Sequence, residues 1–399
     1  MIDTHITLVT NPGSSSRKYA LYSDDEFLAA LHFEFEDDKI ICTIKSPDGS
    51  KKIIPCDFKE LASAVAHIEE ILTEEGYITE RYPIDVIVAR IVAPSDYFTA
   101  DHLVDDDFMA RLNEIKERAP LHTPIIATEI EHLRSSFKNT PIIAVSDSAF
   151  HWTKPNLMKY YPFDTDVADK YEIKRYGYHG LSVESIVNTM KSADILPEKL
   201  IVCHIGSGSS ISAVLGGQSL DCSMGYSPLE GLMMATRSGS MDVAAALALG
   251  RALKLDNEAL ERYLNKKAGL LGVAGNDDFR IVIRQRDEGD PKSTFAHALY
   301  IYRIHSCIGH MAASLAGVDA ITFTATVLER DPEVRHFIAQ KLAYLGFEID
   351  PEKNTNLDPT ANITNIAKEG SKPVYVIKTD EAREMARHAR KYLESIDKA

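Results

Sequence analysis

The stretch that decides the fold is Ile6–Tyr22, ITLVTNPGSSSRKYALY. Its two ends are rich in β-forming residues, and its centre, Asn11–Ser16, is a cluster of turn-forming residues, so the pattern predicts strand, turn and strand. About two hundred residues later the signature returns in Leu200–Leu215, LIVCHIGSGSSISAVL, around the turn Gly206–Ser210. Two such units favour a duplicated fold with a cleft between its halves, although glycine-serine turns are common enough to recur by coincidence.

Helical and strand patterns alternate through the rest of the chain. The helices predicted from apolar periodicity are Phe58–Gly76, Ala244–Leu253, Asn257–Lys266, Ser293–Ala316, Pro332–Leu345 and Asp380–Ile396, the last capped at Thr379 or Asp380. The strands predicted from apolar, β-rich runs are Ile84–Val88, Ile142–Val145, Asp319–Ala325 and Pro373–Ile377. This alternation favours an α/β architecture with at least partly parallel sheets, and the polar, aromatic segment 151–175 indicates a crossing between domains.

The composition is that of a globular protein long enough for two domains. Of 399 residues, 45% are hydrophobic and 26% charged, and 44 basic against 59 acidic residues give a net charge of −15. That balance argues against non-specific binding to nucleic acid. No apolar run reaches the roughly 20 residues of a membrane-spanning helix, and the first residues lack a signal-peptide pattern. Five scattered cysteines form neither a metal-ligand nor a disulfide pattern. We therefore expect a cytoplasmic protein without nucleic-acid or membrane partners.

Two kinds of position indicate phosphate or ligand binding. Glycine- and serine-rich turns direct backbone N–H groups and hydroxyls at one point, which suits them to phosphate. Lys18 follows the first turn closely enough to reach a phosphate oxygen, and its alternative is an ordinary surface lysine. Asp147 follows the predicted strand Ile142–Val145, at the sheet edge where α/β proteins bind ligands. The alternative for Asp147 is an N-cap of the next helix.

Single basic side chains among small and apolar residues mark two further segments. One is Arg175–Gly180, RYGYHG, and the other is Ser223–Gly231, SMGYSPLEG, followed by Thr236–Gly239, TRSG. Cations in such surroundings are unusual for a solvated surface and typical of a cleft that binds anionic oxygens.

With these motifs the sequence resembles the acetate kinases, the acetokinase family of the actin-like and sugar-kinase superfamily of phosphotransferases. The resemblance covers essentially the whole chain and is strongest in Ser223–Met234 with Thr236–Gly239 behind it. Further motifs in the family's order are Asn11–Lys18, Pro120–His122, Asp147–His151, Arg175–Gly180, His204–Ser210, Leu270–Gly275 and Thr379–Glu381. The resemblance implies an α/β fold of the duplicated two-domain actin-like ATPase (ribonuclease H-like) type with an interdomain catalytic cleft. It implies an N-terminal domain of residues 1–150 plus 381–399 and a C-terminal domain of residues 151–380.

The resemblance also implies a reaction, in which a carboxylate oxygen of acetate attacks the γ-phosphoryl group of ATP to give acetyl phosphate and ADP. A loose phosphoryl-transfer transition state needs positioning and positive charge more than a strong base. The family roles then give Asp147, His179 and Arg237 as catalytic residues, and Asn11 and Glu381 as residues near Mg²⁺ (or Mn²⁺). Because acetate is already anionic, we expect Asp147 to orient an arginine or the metal instead of removing a proton.

The remaining family roles concern the two substrates. The implied substrate-binding residues are Arg90, Val92, Leu121, His122, Tyr178 and Pro228. The implied nucleotide-binding residues are Lys18, His204, Gly206, Ser207, Gly208, Asp278, Phe279, Arg280, Thr326, Glu329 and Arg330.

This sequence departs from the family's pattern at both substrate ends. The family's His-Arg-Val-Val-His-Gly-Gly run is ARIVAPS here, Ala89–Ser95, which keeps the arginine but not its flanks. Tyr178 replaces a phenylalanine, and Ser207 replaces an asparagine in the second turn.

The largest departure is the family's Ala-Gly-Ile-Gly-Glu-Asn nucleotide loop, which is ATVLER here, Ala325–Arg330. Both glycines are lost. Thr326 disfavours the positive φ that glycine allows, and Leu328 adds bulk, so the loop must take another path or its side chains must intrude on the adenosine space. We therefore predict weaker ATP binding than in a family member with the glycine loop.

Several functions stay open at the level of sequence. Propionate kinase is a close alternative to acetate kinase, because one methylene group changes binding by only ~1–3 kcal/mol. A pyrophosphate-dependent acetate kinase is compatible with the lost glycines. A degenerate paralogue that binds acyl phosphate without turnover is the non-enzyme alternative, and joint retention of the catalytic and metal residues counts against it. The family also implies a homodimer through the second domain. The apolar helix at 294–316 either contributes to that dimer interface or is simply part of the core.

Overall fold

The computed structural model describes residues 5–12, 16–116 and 123–397. The chain divides into two compact units, Met1–Ala149 with Asp380–Ala399 and Phe150–Thr379. Each junction lies one residue before the boundary expected from the sequence. Because the chain returns to the first unit at Asp380, its C-terminal helix belongs to that unit.

In its described part the first unit is built on one mixed sheet. Its strands are β1 (Ile6–Pro12), β2 (Ser16–Ser23), β3 (Glu26–Glu36), β4 (Lys39–Lys45), β5 (Lys51–Pro55), β6 (Val86–Ile91), β7 (His102–Leu103) and β8 (Ile142–Ser146). They follow the order β5-β4-β3-β2-β1-β6-β8-β7, in which β1, β6 and β8 run parallel. The helices are α1 (Ile68–Glu74), α2 (Asp106–Glu114), α3 (Thr123–Ser136) and the C-terminal α14 (Glu381–Asp397), with 3₁₀ turns at Leu61–His67 and Tyr97–Thr99. Helix α14 packs against β1, β6 and β8.

The second unit contains a smaller mixed sheet and most of the helices. Its strands are β9 (Lys199–Ile205), β10 (Ser209–Leu215), β11 (Gln218–Cys222), β12 (Ala320–Thr324), β13 (Ile363–Asn365) and β14 (Val374–Ile377), in the order β11-β10-β9-β12-β14-β13. The helices are α4 (Thr165–Tyr171), α5 (Gly180–Ser192), α6 (Val243–Leu253), α7 (Asn257–Lys266), α8 (Gly269–Ala274), α9 (Phe279–Asp287), α10 (Pro291–Ser314), α11 (Ala325–Arg330), α12 (Pro332–Ala339) and α13 (Pro351–Thr355). Short 3₁₀ turns lie at Phe150–Thr153, Asn156–Met158 and Ala343–Leu345.

The two sheets share one topology. Each contains three antiparallel strands followed across the sheet by two parallel ones, β3-β2-β1-β6-β8 in the first unit and β11-β10-β9-β12-β14 in the second. The register is also shared, because Asn11 pairs with Lys18 at the end of the first hairpin and His204 pairs with Ser210 at the end of the second. The duplication predicted from the two strand–turn–strand stretches is therefore confirmed.

Local sequence explains where most described helices begin. An aspartate side chain accepts hydrogen bonds from free amides of the first helical turn, which satisfies them and suits the positive end of the helix dipole. These caps are Asp105, Asp164, Asp242, Asp256, Asp278, Asp290, Asp331, Asp350 and, for α14, Asp380. Of the two caps expected for the last helix, Asp380 is the one used. No helix in the described ranges is long and apolar enough to cross a membrane.

Three predicted elements differ from the structure. The helix expected over Phe58–Gly76 starts at Leu61 as a 3₁₀ turn and becomes α-helical only at Ile68. The helix expected over Pro332–Leu345 ends at Ala339, because the chain turns to bury Leu342 and Phe347 in the core of the second unit. The expected loop Ala325–Arg330 is helix α11. In all three cases packing of distant segments overrides local pattern.

Candidate active site

Three charged side chains meet in the first unit. Arg90 lies near the carboxyl end of β6, Asp147 follows its parallel neighbour β8, and Glu381 is the first residue of α14. Arg90 Nη2 lies 2.9 Å from Asp147 Oδ2, and Arg90 Nη1 lies 3.2 Å from Glu381 Oε2. The side chain of Asp147 is buried, and that of Arg90 is 16% exposed. Two carboxylates thus fix the guanidinium at the sheet edge where α/β proteins bind ligands.

Negative charge exceeds positive charge around this guanidinium. Burial opposes the charge of Arg90, but Asp147 and Glu381 raise its pKa overall. Burial also raises the pKa of Glu381; Arg90 lowers it and the carboxylates of Asp147 and Asp380 raise it further, with a net upward shift. A divalent cation here would relieve the repulsion among the carboxylates. Because Mg²⁺ prefers such oxygen donors, the residues present fit a magnesium ion at Glu381.

The β1–β2 hairpin carries the other predicted residues of the first unit that the structure describes. Asn11, near the end of β1, is directly opposite Lys18 of β2, and both are exposed. An amide oxygen and an ammonium group therefore lie side by side, next to the predicted phosphate turn. Leu121 and His122 lie outside the described residues.

The altered flanks of Arg90 leave it on the sheet edge. Ala89 and Ala93, which stand where the family has histidines, are both 2% exposed and belong to the core. Val92 is half-buried and packs against the same core. Small apolar residues thus fill the interior on both sides while Arg90 keeps its contact with Asp147.

The second cluster lies in the second unit, around the turn between β9 and β10. Gly206 N donates to Gly208 O at 3.0 Å, which closes the turn. A Cβ added to Gly208 would lie 3.3 Å from His179 Nε2 and 3.6 Å from Arg237 Nη1. The imidazole and the guanidinium therefore converge on Gly208, where a Cβ would crowd the imidazole and touch the guanidinium.

Serine hydroxyls orient the two histidines at this turn. His179 Nδ1 lies 3.0 Å from Ser210 Oγ, and His204 Nδ1 lies 2.7 Å from Ser182 Oγ, which in turn lies 2.8 Å from Thr379 Oγ1. The two imidazoles stack with their centroids 4.1 Å apart. Each ring has one nitrogen occupied by a hydroxyl, which directs its other nitrogen away from that partner.

The backbone of His179 is strained. Its φ is 61°, in the left-handed region, where it precedes the first residue of α5. A residue other than glycine loses roughly 1–2 kcal/mol there, so the surrounding contacts must hold it in place. Such strain is typical of functional sites, which supports the role predicted for His179.

Arg237 is a half-buried cation without an acidic partner in the part of the chain that the structure describes. Burial lowers its pKa, and its Nη1 lies 3.8 Å from the sulfur of Met234. Its loop is fixed by the bond from Met234 N to Arg237 O (3.0 Å), while Ala235 N lies 3.5 Å from Ser207 O of the turn. A buried guanidinium that lacks a carboxylate is stabilised by an anionic ligand.

Two residues predicted to contact the methyl group of acetate lie in the second unit. Tyr178 is 1% exposed, and its hydroxyl donates to Tyr226 O at 2.7 Å. The hydroxyl that distinguishes it from the family's phenylalanine is thus used in a backbone hydrogen bond. Pro228 is half-buried and lies two residues after Tyr226 in the chain.

The first group of predicted nucleoside contacts surrounds the start of α9. Asp278 caps this helix and forms an ion pair with Arg280 at 2.6 Å, and Arg280 is 86% exposed. The ring of Phe279 is buried in the core and packs 4.6 Å from that of Tyr300, so it is not available to a ligand. Only the charged pair faces solvent.

The second group lies on α11, the helix that replaces the expected loop. Thr326 disfavours a positive φ, and in the structure the positive φ, 69°, lies at the preceding residue, Ala325. The side chain of Leu328 is fully buried in the core, so its bulk does not intrude on a ligand. Thr326 and Arg330 are exposed. A helical turn therefore replaces the glycine loop. It buries the side chain of Leu328 and exposes those of Thr326 and Arg330.

Glu329 holds this helix in place instead of projecting freely. Its Oε1 accepts hydrogen bonds from Ala325 N (2.9 Å), Thr324 Oγ1 (3.3 Å) and Thr379 N (3.1 Å). From the other side Arg335, 1% exposed, donates to Leu328 O at 2.7 Å. The conformation of α11 is therefore determined by tertiary contacts.

Sequence reasoning gave no role to several residues of this site. Ser210 and His151 lie in quoted motifs, so the sequence named them without assigning a function. Ser182 and Lys154 carried no signal, because their partners are about twenty residues away and only folding brings them together.

The chemistry of each cluster suits a different kind of ligand. The first offers a fixed guanidinium and oxygen donors, which can bind a carboxylate and a divalent cation. The second offers a guanidinium that makes no ion pair within the described ranges, two oriented imidazoles and a glycine turn, which can bind a phosphoryl group.

Comparisons with known proteins agree over the whole chain. Residues 6–387 match the family model described as the acetokinase family. The acetate kinase of Thermoanaerobacterium thermosaccharolyticum is 36% identical over 400 residues, which cover 98% of this chain and 99% of the relative. The crystal structure of a propionate kinase from Francisella tularensis superposes with a TM-score of 0.87 at 30% identity, over 96% of this chain and 98% of that one. That of Porphyromonas gingivalis acetate kinase gives 0.84 at 29%, over 98% and 100%.

Proposed function

This chain belongs to the acetokinase family, and from that premise we propose that it catalyses reversible phosphoryl transfer from ATP to acetate, giving acetyl phosphate and ADP. Family membership makes it a kinase whose acceptor is a carboxylate. The identities of the acceptor and the donor, and the residue roles that follow, are the proposal.

One observation carries this proposal: the guanidinium of Arg237, beside His179 and Gly208, has no acidic partner among the described residues. The buried Arg335 of the same unit, by contrast, donates to Asn354 Oδ1 at 2.7 Å. A cation kept without a carboxylate beside a glycine turn is the arrangement that stabilises a transferring phosphoryl group.

On the acceptor side, Arg90 binds the acetate carboxylate. Asp147 and Glu381 each engage one terminal nitrogen of Arg90, which orients the guanidinium and leaves further N–H donors for a ligand. Acetate is ionised at neutral pH and needs no general base. Asp147 therefore acts by holding Arg90, in agreement with its buried ion pair.

On the donor side, Arg237 and His179 neutralise charge that develops on the equatorial phosphoryl oxygens, and His204 supports His179 by stacking. Asn11 and Glu381 would hold Mg²⁺, which, when bound, supplies positive charge at the phosphates of the donor. Lys18 adds a further positive charge beside Asn11.

Propionate is a second candidate acceptor, favoured by the likeness to a propionate kinase. The proposed methyl-binding residues of the described chain, Val92, Tyr178 and Pro228, have no side-chain donor free to discriminate between the two acids, because the hydroxyl of Tyr178 is bonded to Tyr226. One methylene group in such surroundings changes discrimination by ~1–3 kcal/mol. We therefore expect activity on both acids, with acetate preferred.

The donor is ATP in this proposal, with pyrophosphate as the alternative. The exposed groups that face a nucleoside are those of Thr326, Arg330 and the Asp278–Arg280 pair. Because the ring of Phe279 is buried and helix α11 replaces the glycine loop, these groups offer a nucleoside neither an aromatic ring nor a glycine backbone. We therefore expect weaker ATP binding than in a family member with the glycine loop, with phosphoryl chemistry intact once the donor is bound. Calorimetric titration with Mg-ATP, Mg-ADP and pyrophosphate measures this, and a low-micromolar ATP affinity without pyrophosphate use would contradict it.

We further propose a homodimer formed through the second unit, in the cytoplasm. Helix α6 exposes apolar side chains along its length, including Val243 (73%) and Leu247 (49%), and α10 exposes Phe295 and Tyr302. A patch of this kind is stabilised by burial against a second copy. All five cysteines are free, as in a reducing compartment. Sedimentation equilibrium of wild type and Leu247→Glu tests the dimer, and an unchanged mass would exclude α6 from the interface.

The function itself is tested by direct measurement of acetyl phosphate. Purified protein is incubated with acetate or propionate, Mg²⁺ and either ATP or pyrophosphate, and product is trapped as the hydroxamate. We expect acetyl phosphate with ATP, and loss of product in Arg237→Ala. Folded protein that forms no acyl phosphate with either donor would instead be the non-catalytic paralogue.

A further inference from the structure

The segment Phe150–Lys154, here called the anchor segment, hydrogen-bonds to backbone carbonyls of residues 175–178, which immediately precede His179. Lys154 Nζ donates to Arg175 O at 3.0 Å and to Tyr176 O at 3.2 Å, and Trp152 stacks on Tyr176 with centroids 5.7 Å apart. The side chain of Lys154 is 2% exposed, and burial lowers its pKa to about 8. A lysine is kept in the interior only where such carbonyl contacts compensate for lost water.

His151 makes the contact nearest the proposed active site. It is fully buried, its Nε2 lies 3.0 Å from Tyr178 O, and its Nδ1 lies 2.8 Å from Ser219 Oγ. A carbonyl oxygen only accepts, so Nε2 carries a proton and donates a hydrogen bond to Tyr178 O, while Nδ1 contacts the Ser219 hydroxyl. The thiol of Cys222 interacts with the same side chains. Burial would raise its pKa, but His151 and Lys154 lower that pKa to about 6.

The same ring also limits the backbone one residue earlier. Gly177 has a φ of 82°, and a Cβ there would lie 3.0 Å from three atoms of the His151 side chain. The His151 side chain is therefore packed closely against Gly177 and hydrogen-bonded to Tyr178 O, and the next residue is His179 in its left-handed conformation. Strained backbone of this kind persists only where its neighbours over-determine it.

We propose that His151 is a positioning residue for the phosphoryl transfer, which fixes Gly177 and Tyr178 so that His179 stays in its strained conformation with its ring at Ser210 and Gly208. The inference rests on the proposed function for the role of His179. His151 itself does not touch substrate. It acts through the Tyr178 carbonyl.

The test compares three variants. His151→Leu removes both hydrogen bonds at nearly constant volume, and His151→Gln restores a donor that can reach Tyr178 O. His305→Leu is the matched control, because His305 Nε2 also contacts a backbone carbonyl, Ile338 O at 2.8 Å, but on α10, and we give it no role in the reaction. Steady-state kinetics and the histidine ring resonances in ¹H–¹⁵N spectra are measured, with His179 assigned from His179→Gln.

We expect His151→Leu to lower kcat on the order of 10²-fold, with the KM values of acetate and donor within about two-fold, because misplacement of a catalytic group affects the transition state most. The His179 resonances should shift, His151→Gln should recover most of kcat, and His305→Leu should match wild type. Wild-type kcat in His151→Leu, or a loss of kcat with the His179 resonances unchanged and no recovery in His151→Gln, would overturn the proposal.

Two provisions keep the result decisive. If His151→Leu does not fold, Ser219→Ala, which removes the hydroxyl partner of Nδ1, is measured in the same way and should show the same separation of kcat from KM at smaller size. If folded wild type forms no acyl phosphate, the proposed function fails. The His179 resonances in His151→Leu then still decide whether His151 positions that residue.

Discussion

Replacement of Arg237 by alanine separates catalysis from stability more sharply than any other change in this chain. The guanidinium is half-buried, its pKa is lowered by burial, and it makes no ion pair among the described residues. Its removal therefore leaves no orphaned carboxylate, and the loss of side-chain packing is offset by relief of an unpaired buried charge. We expect the free energy of unfolding of Arg237→Ala to stay within about 1 kcal/mol of wild type.

The expected effect on turnover is much larger. An arginine that stabilises the transferring phosphoryl group accounts for on the order of 10³-fold or more in kcat, which corresponds to about 4 kcal/mol of transition-state stabilisation. The KM of acetate should change little, because acetate binds at Arg90. Hydroxamate trapping of acetyl phosphate measures kcat and KM, and urea unfolding measures stability.

The matched control is Arg335→Ala. Arg335 is equally large and more deeply buried, but it donates to Asn354 Oδ1 (2.7 Å), Asn354 O (2.6 Å) and Leu328 O (2.7 Å). Its loss should cost on the order of 3–5 kcal/mol of stability, because it leaves a cavity and unsatisfied buried acceptors. If Arg237→Ala keeps a tenth of wild-type turnover, or is destabilised as strongly as Arg335→Ala, the role assigned to Arg237 is refuted.

Three further predictions follow from other parts of the structure. Arg90→Leu should raise the KM of acetate far more than that of the donor, because a charge-assisted contact to the carboxylate is lost, and equal effects in the same assay would place Arg90 elsewhere. Ala325→Gly should raise the free energy of unfolding by about 0.5–1 kcal/mol in urea by relieving the φ of 69°, whereas Thr326→Gly on the exposed helix should lower it; a destabilised Ala325→Gly would contradict the left-handed assignment. Burial and Arg286 lower the pKa of His297 to about 4, so the unfolded chain binds more protons between pH 4 and 6.5, and stability present above pH 6.5 is lost as pH falls through that window. His297→Gln should lose on the order of 2 kcal/mol less than wild type between pH 7 and 4.5, and parallel profiles would show that this histidine does not titrate with folding.

Much of the fold could be predicted from the sequence because the determinants of its elements are local. The strand–turn–strand stretches around Asn11–Ser16 and Gly206–Ser210 are set by β-forming residues and turn composition, which act within a few residues. The start of the C-terminal helix was predictable for the same reason, because an aspartate cap acts on the first turn of its own helix. The position of Asp147 after a buried strand is likewise a local property.

The sequence by itself therefore determined the duplicated α/β architecture, the two repeated hairpins, several of the longer helices and the residue types available for chemistry. The tertiary structure alone decided which of those residues meet. It brings Glu381 to Arg90 across 291 positions (381 − 90), and it sets His179 Nε2 and Arg237 Nη1 around Gly208. The structure also placed the positive φ at Ala325 and buried Leu328, against the expectation from sequence. The physical reason is that such contacts depend on side-chain packing between segments far apart in the chain, whose energies no local pattern encodes.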